Sequence, residues 1–477
     1  MIQTNYIVAI ELSSSKVTGA VGIETINGIK IIATASTLVD GYISKGVVRN
    51  VDKTSEAIAD IINRLEHDLT DNDGKEITIK RAYVSLAGLT MHSIQSKVTR
   101  TFDTYTKISA ETISEMELEN DALFQVPDGY SKVHVITQEY KVDGKTDHNP
   151  IGAPAMAIEG RYLNIVIKKQ FLEQLNESFE QVDTVITDSF VAACMDADIL
   201  LTKDARRNGC ALVNIGAETT TVSIYNNDNL RMLKVLPLGS NNITRDLCAE
   251  QISYDAAEVI KITRGYKSQA SETEPISNET ANNIIRARTG EILQNVKYQI
   301  EESGEMIHNI IFTGGGSRLK NLSILLEEYL PNFNTSIVSD PQLAFECKPG
   351  VNTYGIFTTA LYGLLNHSKE NCCEETSNEP QPTTLFPENI MSGNDTPEED
   401  TTTIANEEEE ARREEEQRKK KEEEDRKKRE EELKKKKKKE KEQALLNKIR
   451  GFGGLFKEFL QDATSEDEDD DINNEDD

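Results

Sequence analysis

No stretch of this chain reaches the roughly 18 consecutive apolar residues of a membrane-spanning helix. Any membrane contact is therefore expected from the surface. Cysteine is sparse: Cys194, Cys210, Cys248, Cys347, Cys372 and Cys373 show neither metal-binding nor framework spacing. In a chain of 477 residues that excludes a disulfide scaffold and points to a reducing cytosol. Cys372 and Cys373 are adjacent in the C-terminal tail and read as two exposed thiols. The opening "MIQTNYIVAIELSSSK" lacks a basic flank, a long apolar core and a small-residue cleavage site, so a strand is expected there, not a signal peptide. Positive charge is also short. A formal net charge of −29 argues against sequence-independent nucleic-acid binding, which needs a basic face.

What is present divides near Asn366. The first 366 residues read as globular, while 367–477 read as tail and carry about half of the net charge. "YIVAIEL", "KVTGAVGIE" and "IKIIATAST" look like a strand meander. "VDKTSEAIADIINRLEHDL" then has helical spacing and a Thr/Ser start. "GCALVNIGAETTTVSIYNN" and "LRMLKVLPLG" repeat the strand pattern about 200 residues later, with a helix from near Asn242. Two strand–strand–strand–helix units suggest an internal duplication; two unrelated hairpins in an α/β enzyme fit the pattern equally. Between them, a helix over "SAETISEMELENDAL" among short strands reads as an inserted α+β domain.

Three turns carry chemistry. In "ELSSSK" (Glu11–Lys16), backbone N–H groups, Ser hydroxyls and a Lys ammonium can converge on a phosphate, although a polar hairpin tip is the commoner meaning. "NIGAETTT" (Asn214–Thr221) is placed identically: Gly216 permits backbone approach and Thr219 offers a hydroxyl. "IIFTGGGSRLKNL" runs a buried strand into Gly314, Gly315 and Gly316 and then a helix, a nucleotide or anion site when it is functional rather than structural. Two phosphate hairpins followed by strand–GGG–helix is the layout of the actin superfamily, with sugar kinases and heat-shock chaperones. In "YDAAEVIKITRGY", Glu258 and Lys261 fall where that superfamily meets ribose and adenine.

The match goes further. "VAIELSSSKVTGAVG", "GYISKGVVRNVDK", "VSLAGLTMHS", "NPIGAPA", "VNIGAETTTVSIY", "DAAEVIKITRGY", "IIFTGGGSRLKNL" and "NTYGIFTTALYGLL" resemble, in order, the FtsA family of actin-like bacterial division proteins. The resemblance implies two actin-like (ribonuclease H-like) α/β halves around an ATP cleft, and a filament-forming adaptor. Such an adaptor tethers FtsZ to the cytoplasmic face of the inner membrane at the division site and recruits later division proteins through domain 1C. It implies domain 1A over 1–81, 163–190 and 350–366, an inserted domain 1C over 82–162, domain 2A over 191–245 and 308–349, and domain 2B over 246–307. It implies nucleotide contacts from Ser13, Ser14, Ser15, Lys16, Gly216, Ala217, Glu218, Thr219, Gly239, Glu258, Lys261, Gly314, Gly315, Gly316, Ser317 and Arg318, and Mg²⁺ held through water by Glu11 and Asn214. Arg288 in "IIRARTGEIL" falls where the family has an arginine contacting the FtsZ C-terminal peptide; the plain alternative is a solvated helix charge.

Departures bear on catalysis. Ser13 stands where such families usually have Gly, and Asn214 stands where the second hairpin usually has Asp. An amide cannot act as a carboxylate toward hydrated Mg²⁺ or an attacking water, so nucleotide binding is expected with at most weak hydrolysis. Glu218 places a negative group beside the expected phosphates. A sugar-kinase-like phosphotransferase, a chaperone ATPase and a pilus-type assembly adaptor are the alternatives.

The tail has its own logic. Residues 367–406 are Pro-, Thr- and acid-rich and are expected to be disordered. Over 407–443, blocks of opposite charge form i,i+4 pairs such as Glu414/Arg418, Glu423/Lys427 and Glu431/Lys435, with Leu433 the only strongly apolar residue, so a lone solvated helix is expected. In 444–460, Leu445, Ile449, Phe452, Phe456, Phe459 and Leu460 fall within one arc of about 100°. Lys448, Arg450 and Lys457 border it, where cationic stems can reach lipid phosphates. Gly451, Gly453 and Gly454 cost about 1 kcal/mol each in a helix, which suggests folding on an anionic membrane surface. One such anchor is marginal and a polymer of them is not. Residues 461–477 form an acidic, disordered end.

Overall fold

The computed structural model describes residues 4–26, 28–69, 76–267, 276–338, 346–351 and 358–376. The charged helix expected over 407–443, the amphipathic segment 444–460, the acidic end 461–477 and residues 377–406 of the expected linker lie outside the described residues.

The chain begins with an antiparallel meander, β1 (Tyr6–Leu12), β2 (Lys16–Thr25) and β3 (Gly28–Leu38). A two-strand ribbon, β4 (Ile43–Ser44) and β5 (Val47–Val48), leads into α1 (Val51–Leu69). In α1 the apolar residues Ile58, Ile61, Ile62 and Leu65 recur at i, i+3, i+4 and i+7 and bury one face on β2 and β3. Burial stabilises each by about 1.5–3 kcal/mol. The cap is Asn50, whose side-chain oxygen accepts from Lys53 N–H (2.9 Å). Thr54 and Ser55, read from sequence as the start, lie inside the helix and bond back to the carbonyls of Asn50 and Val51.

β6 (Glu76–Ile79) and β7 (Arg81–Leu86) follow, β7 running parallel to β1. The insert is β8 (His92–Lys107), α2 (Ala110–Leu123), β9 (Tyr130–Val142), β10 (Lys145–Asp147) and β11 (Pro154–Lys168), with a small core around Met116, Ile158 and Tyr162. As expected, α2 is helical; Ser109 caps it, accepting from Thr112 N–H at 3.2 Å. After α3 (Lys169–Glu180), β12 (Val185–Val191) pairs parallel with β7; α4 (Ala192–Leu200) and α5 (Lys203–Asn208) complete this region.

The second meander is β13 (Cys210–Ile215), β14 (Thr220–Asn226) and β15 (Asn229–Leu236). Helices α6 (Asn241–Cys248), α7 (Tyr254–Thr263) and α8 (Asn278–Glu302) precede β16 (Asn309–Thr313), which pairs parallel with β13. Then come α9 (Leu322–Tyr329), β17 (Asn334–Ile337), β18 (Glu346–Cys347), α10 (Thr359–His367) and β19 (Cys373–Thr376). The strand order β12-β7-β1-β2-β3 recurs as β17-β16-β13-β14-β15. The duplication is therefore real, and each half has its own apolar core.

Several expected borders move. β7 belongs to the first sheet, so residues 82–86 are not part of the insert. β11 runs as one strand to Lys168, past the expected end of the insert. α4 packs on α10 within the first core, and β18 pairs with β3, so 192–200 and 346–347 join the first half. The folded part also continues past Asn366: β19 pairs with β6, which buries Cys372 and Cys373 at 1% and 5% exposure. They are not exposed thiols. Burial pushes them up, to about 11 and about 12, leaving both protonated and inert at neutral pH. The partners of β18 and β19 lie hundreds of residues away in sequence, which local periodicity cannot register.

Candidate functional site

The first turn is a tight β1–β2 hairpin. Ser13 N–H donates to Lys16 O (3.0 Å), and the Ser13 hydroxyl donates to the same carbonyl (2.8 Å). Ser14 Oγ accepts from Gly46 N–H (2.8 Å), and Val39 N–H donates to Ser15 O (2.9 Å). Burial holds the Lys16 ammonium below its ordinary range; Glu11 opposes that effect and the Arg318 charge adds to it. Lys16 and Arg318, far apart in sequence, are thus electrostatic neighbours.

The second turn closes with Gly216 N–H to Thr219 O (2.8 Å) and is pinned to the start of α6 by Ser240 N–H to Gly216 O (2.9 Å) and Asn241 N–H to Ala217 O (2.8 Å). Gly239 donates to Asn242 Oδ1 (3.2 Å) beside it. Gly314 opens the third turn at φ 88°, and a Cβ there would lie 2.5 Å from Ile215 O. The third turn is therefore packed directly on the second. It leads not into an α-helix but into a four-residue 3₁₀ turn, Gly315–Arg318, with α9 beginning only at Leu322. The expected helix N-terminus is absent at this place. Ser317 is buried and its hydroxyl donates back to Gly314 O (2.7 Å), so it is spent within the turn.

Between the turns lies an acidic floor, with Asp196 buried and Glu11 half-buried. Asn214 Nδ2 donates to Asp196 Oδ2 (2.8 Å), and Thr359 donates its hydroxyl to the other oxygen of Asp196. Thr358 donates to Glu11. Burial raises the Asp196 carboxyl above the usual range, with its two hydrogen bonds opposing. Burial likewise raises Glu11; the Thr358 bond opposes and the Asp196 charge reinforces. Two carboxyl groups raised chiefly by burial, with the Asp196 charge adding at Glu11, form an oxygen-rich floor that suits a hard divalent cation. Among the described residues, no three of His, Cys, Asp and Glu gather as a metal cage.

Glu218 behaves differently from its sequence-level reading. Its carboxylate accepts from Ser44 Oγ (2.9 Å), Lys45 N–H (2.7 Å) and Arg245 Nη2 (2.6 Å). Its charge is neutralised there, rather than left beside an expected phosphate. Glu258, Lys261 and Thr244 close a triad: Lys261 Nζ lies 2.7 Å from Glu258 and donates to Thr244 Oγ1 (2.9 Å), which donates to Glu258 (2.7 Å). Lys261 is buried, and burial lowers its ammonium against the opposing Glu258. Arg288 grips Asp246 with two nitrogens and Glu291 with a third (2.7 Å), bridging α6 to α8.

Sequence reasoning missed Asp196, Thr358, Thr359, Ser44 and Arg245. Asp196 had a signal: an acid inside the largely apolar run "AACMDADIL" either finds a partner or serves a site. The others are placed by tertiary contact alone. A separate cleft of about 640 Å³ lies between insert and second half, and its Arg161 and Arg231 are paired with Glu139.

Two family models match this chain: "Cell division protein FtsA" over residues 211–345 and "SHS2 domain inserted in FTSA" over residues 88–166. The second begins after β7, where the structure places the start of the insert. The cell division protein FtsA of Porphyromonas gingivalis is 29% identical over 60% of this chain and 63% of its own length. That of Bacillus subtilis is 26% identical over 68% and 77%, and that of Escherichia coli K12 is 23% identical over 76% and 90%. Among solved structures, the PilM–PilN type IV pilus biogenesis complex matches at TM-score 0.55 and 16% identity, over 75% of this chain and 97% of that one, a likeness of fold alone. By its duplicated α/β fold, its SHS2-type insert and these relatives, the chain is similar to the cell division proteins FtsA.

Proposed function

We propose that this chain is an ATP-binding, self-assembling adaptor that ties FtsZ to the membrane at the division site and recruits later division proteins. The observation that carries the nucleotide reading is the convergence of three turns over one acidic floor. Ser13–Lys16 and Gly216–Thr219 come from opposite halves, Gly314 packs on Asn214 and Ile215, and Glu11 and Asp196 lie between. Polyphosphate would take backbone N–H groups from the two hairpins, with Lys16 and Arg318 supplying charge. Mg²⁺ would be held by Glu11 and Asp196 and would offset phosphate charge. With Asn214 committed to Asp196, hydrolysis is expected to be slow. Equilibrium titration of a fluorescent ATP analogue with Mg²⁺ tests this reading; no binding at millimolar analogue removes it.

The adaptor reading rests on the FtsA relatives, and two assays test it. Pull-down with the FtsZ C-terminal peptide should retain the full chain. Phe456, at the centre of the apolar arc of 444–460, should be needed for sedimentation with anionic vesicles: Phe456→Glu is expected to abolish it, and Glu458→Ala, on the watery face, to leave it intact. Equal sedimentation of wild type and Phe456→Glu would move the anchor elsewhere.

A further inference from the structure

Glu218 joins parts of the molecule that no strand pairing joins. Its two carboxylate oxygens are divided between the halves: Oε2 takes Ser44 Oγ and Lys45 N–H, while Oε1 takes Arg245 on α6. Ser44 ends β4, beside the first core, and 174 residues separate it from Glu218 in sequence. The side chain is only 11% exposed, where charge-assisted bonds are least weakened by water.

The Lys45–Gly46 segment is shaped for this contact. Both residues are left-handed, at φ 52° and 70°, and a Cβ on Gly46 would come within 2.8 Å of Gly88 Cα. Lys45 O is held by Leu89 N–H (3.0 Å). So fixed, successive amides aim at opposite turns: Lys45 N–H at Glu218 of the second, Gly46 N–H at Ser14 of the first. The result is one continuous path of bonds, Ser14–Gly46–Lys45–Glu218–Arg245.

We propose that Glu218 is a clasp across the cleft, a positioning residue that sets the spacing of the two phosphate turns through Ser44, Lys45 and Arg245. It acts on a nucleotide only through the turn that carries it, and that last step rests on the nucleotide reading above. A glutamine cannot replace it, since one amide oxygen serves one half and the amide nitrogen offers Arg245 no acceptor.

Amide hydrogen exchange of the full chain tests the clasp without nucleotide. Glu218→Gln should speed exchange at least fivefold in peptides covering 43–47 and 216–220, with peptides of β8 and β11 unchanged as the check on folding. Ser44→Ala, which removes one hydroxyl in the first half, should speed exchange of 216–220 in the second. Unchanged exchange of 216–220 in Ser44→Ala, or of 43–47 in Glu218→Gln, overturns the clasp. With an ATP analogue and Mg²⁺, Glu218→Gln should lose about tenfold in affinity; loosened exchange with wild-type affinity overturns the positioning role. If wild type binds no analogue while the exchange effects hold, the clasp stands and the nucleotide reading fails.

Discussion

In the first half, the strand entering the Ser13–Lys16 turn carries Glu11 opposite Thr18; in the second, the equivalent strand carries Asn214 opposite Thr221. Register, turn length and the neighbouring parallel strand agree, yet one position is an acid and the other an amide, both half-buried. The acid missing from the second strand is balanced by Asp196, which comes from α4 of the first half and is held by Asn214 itself. Duplicated topology thus fixes where groups can stand, while which half supplies the charge is free to change. Both acids of the floor belong to the first half, and the second contributes an amide, a glycine turn and a clasp.

The comparison can be broken most severely at Gly314. Its left-handed φ and its contact with the second strand leave no room for a side chain, so Gly314→Ala should lower ATP-analogue affinity by about 100-fold or more, or about 3 kcal/mol. Titration at constant Mg²⁺ measures it, and a loss under threefold would detach the third turn from the site. Asp196→Asn comes next. It removes a carboxylate whose burial is costly and whose charge raises Glu11, so the ligand-free protein should melt a few degrees higher, while ATP turnover should fall about tenfold. Stability and turnover moving in the same direction would show that Asp196 serves packing alone.

Asn214→Asp restores symmetry in charge but sets a carboxylate against Asp196. Turnover is expected to rise severalfold over wild type, and the ligand-free protein to lose about 1–3 kcal/mol in denaturant melts. Unchanged turnover would place the catalytic deficit elsewhere. The smallest effect is expected at Arg288, on α8 of the second half. Its ion pairs are about one-third exposed, so Arg288→Met should cost under about 1 kcal/mol in stability while weakening FtsZ-peptide binding severalfold. Full peptide affinity in that variant would leave Arg288 as a bridge between α6 and α8 and nothing more.

The duplication and the three turns were legible because strand alternation and glycine placement are local properties of the sequence. Asp196 was half-legible, as an acid in apolar surroundings. The clasp could not be read, since it depends on residues far apart meeting in space, and a glycine run after a strand reads alike whether a 3₁₀ turn or an α-helix follows. Glu218 is the clearest case: in sequence it stands in a phosphate hairpin, yet its charge is directed to Ser44, Lys45 and Arg245. The membrane and charged-helix readings of 407–460 rest on residue pattern alone.

The insert's position has a mechanical consequence. Its strands leave and rejoin the first half, yet its sheet runs on into the second through the His92–Lys234 bridge, reinforced by Leu233 N–H to Ser93 Oγ (2.8 Å) and Asn229 to Gln138 O (2.6 Å). One half cannot turn about the other without either tearing that seam or dragging the insert along. A subdegree rotation at the cleft would therefore become a displacement at the far tip of β8 and β9, since strands 13 to 16 residues long act as lever arms of about 40–50 Å.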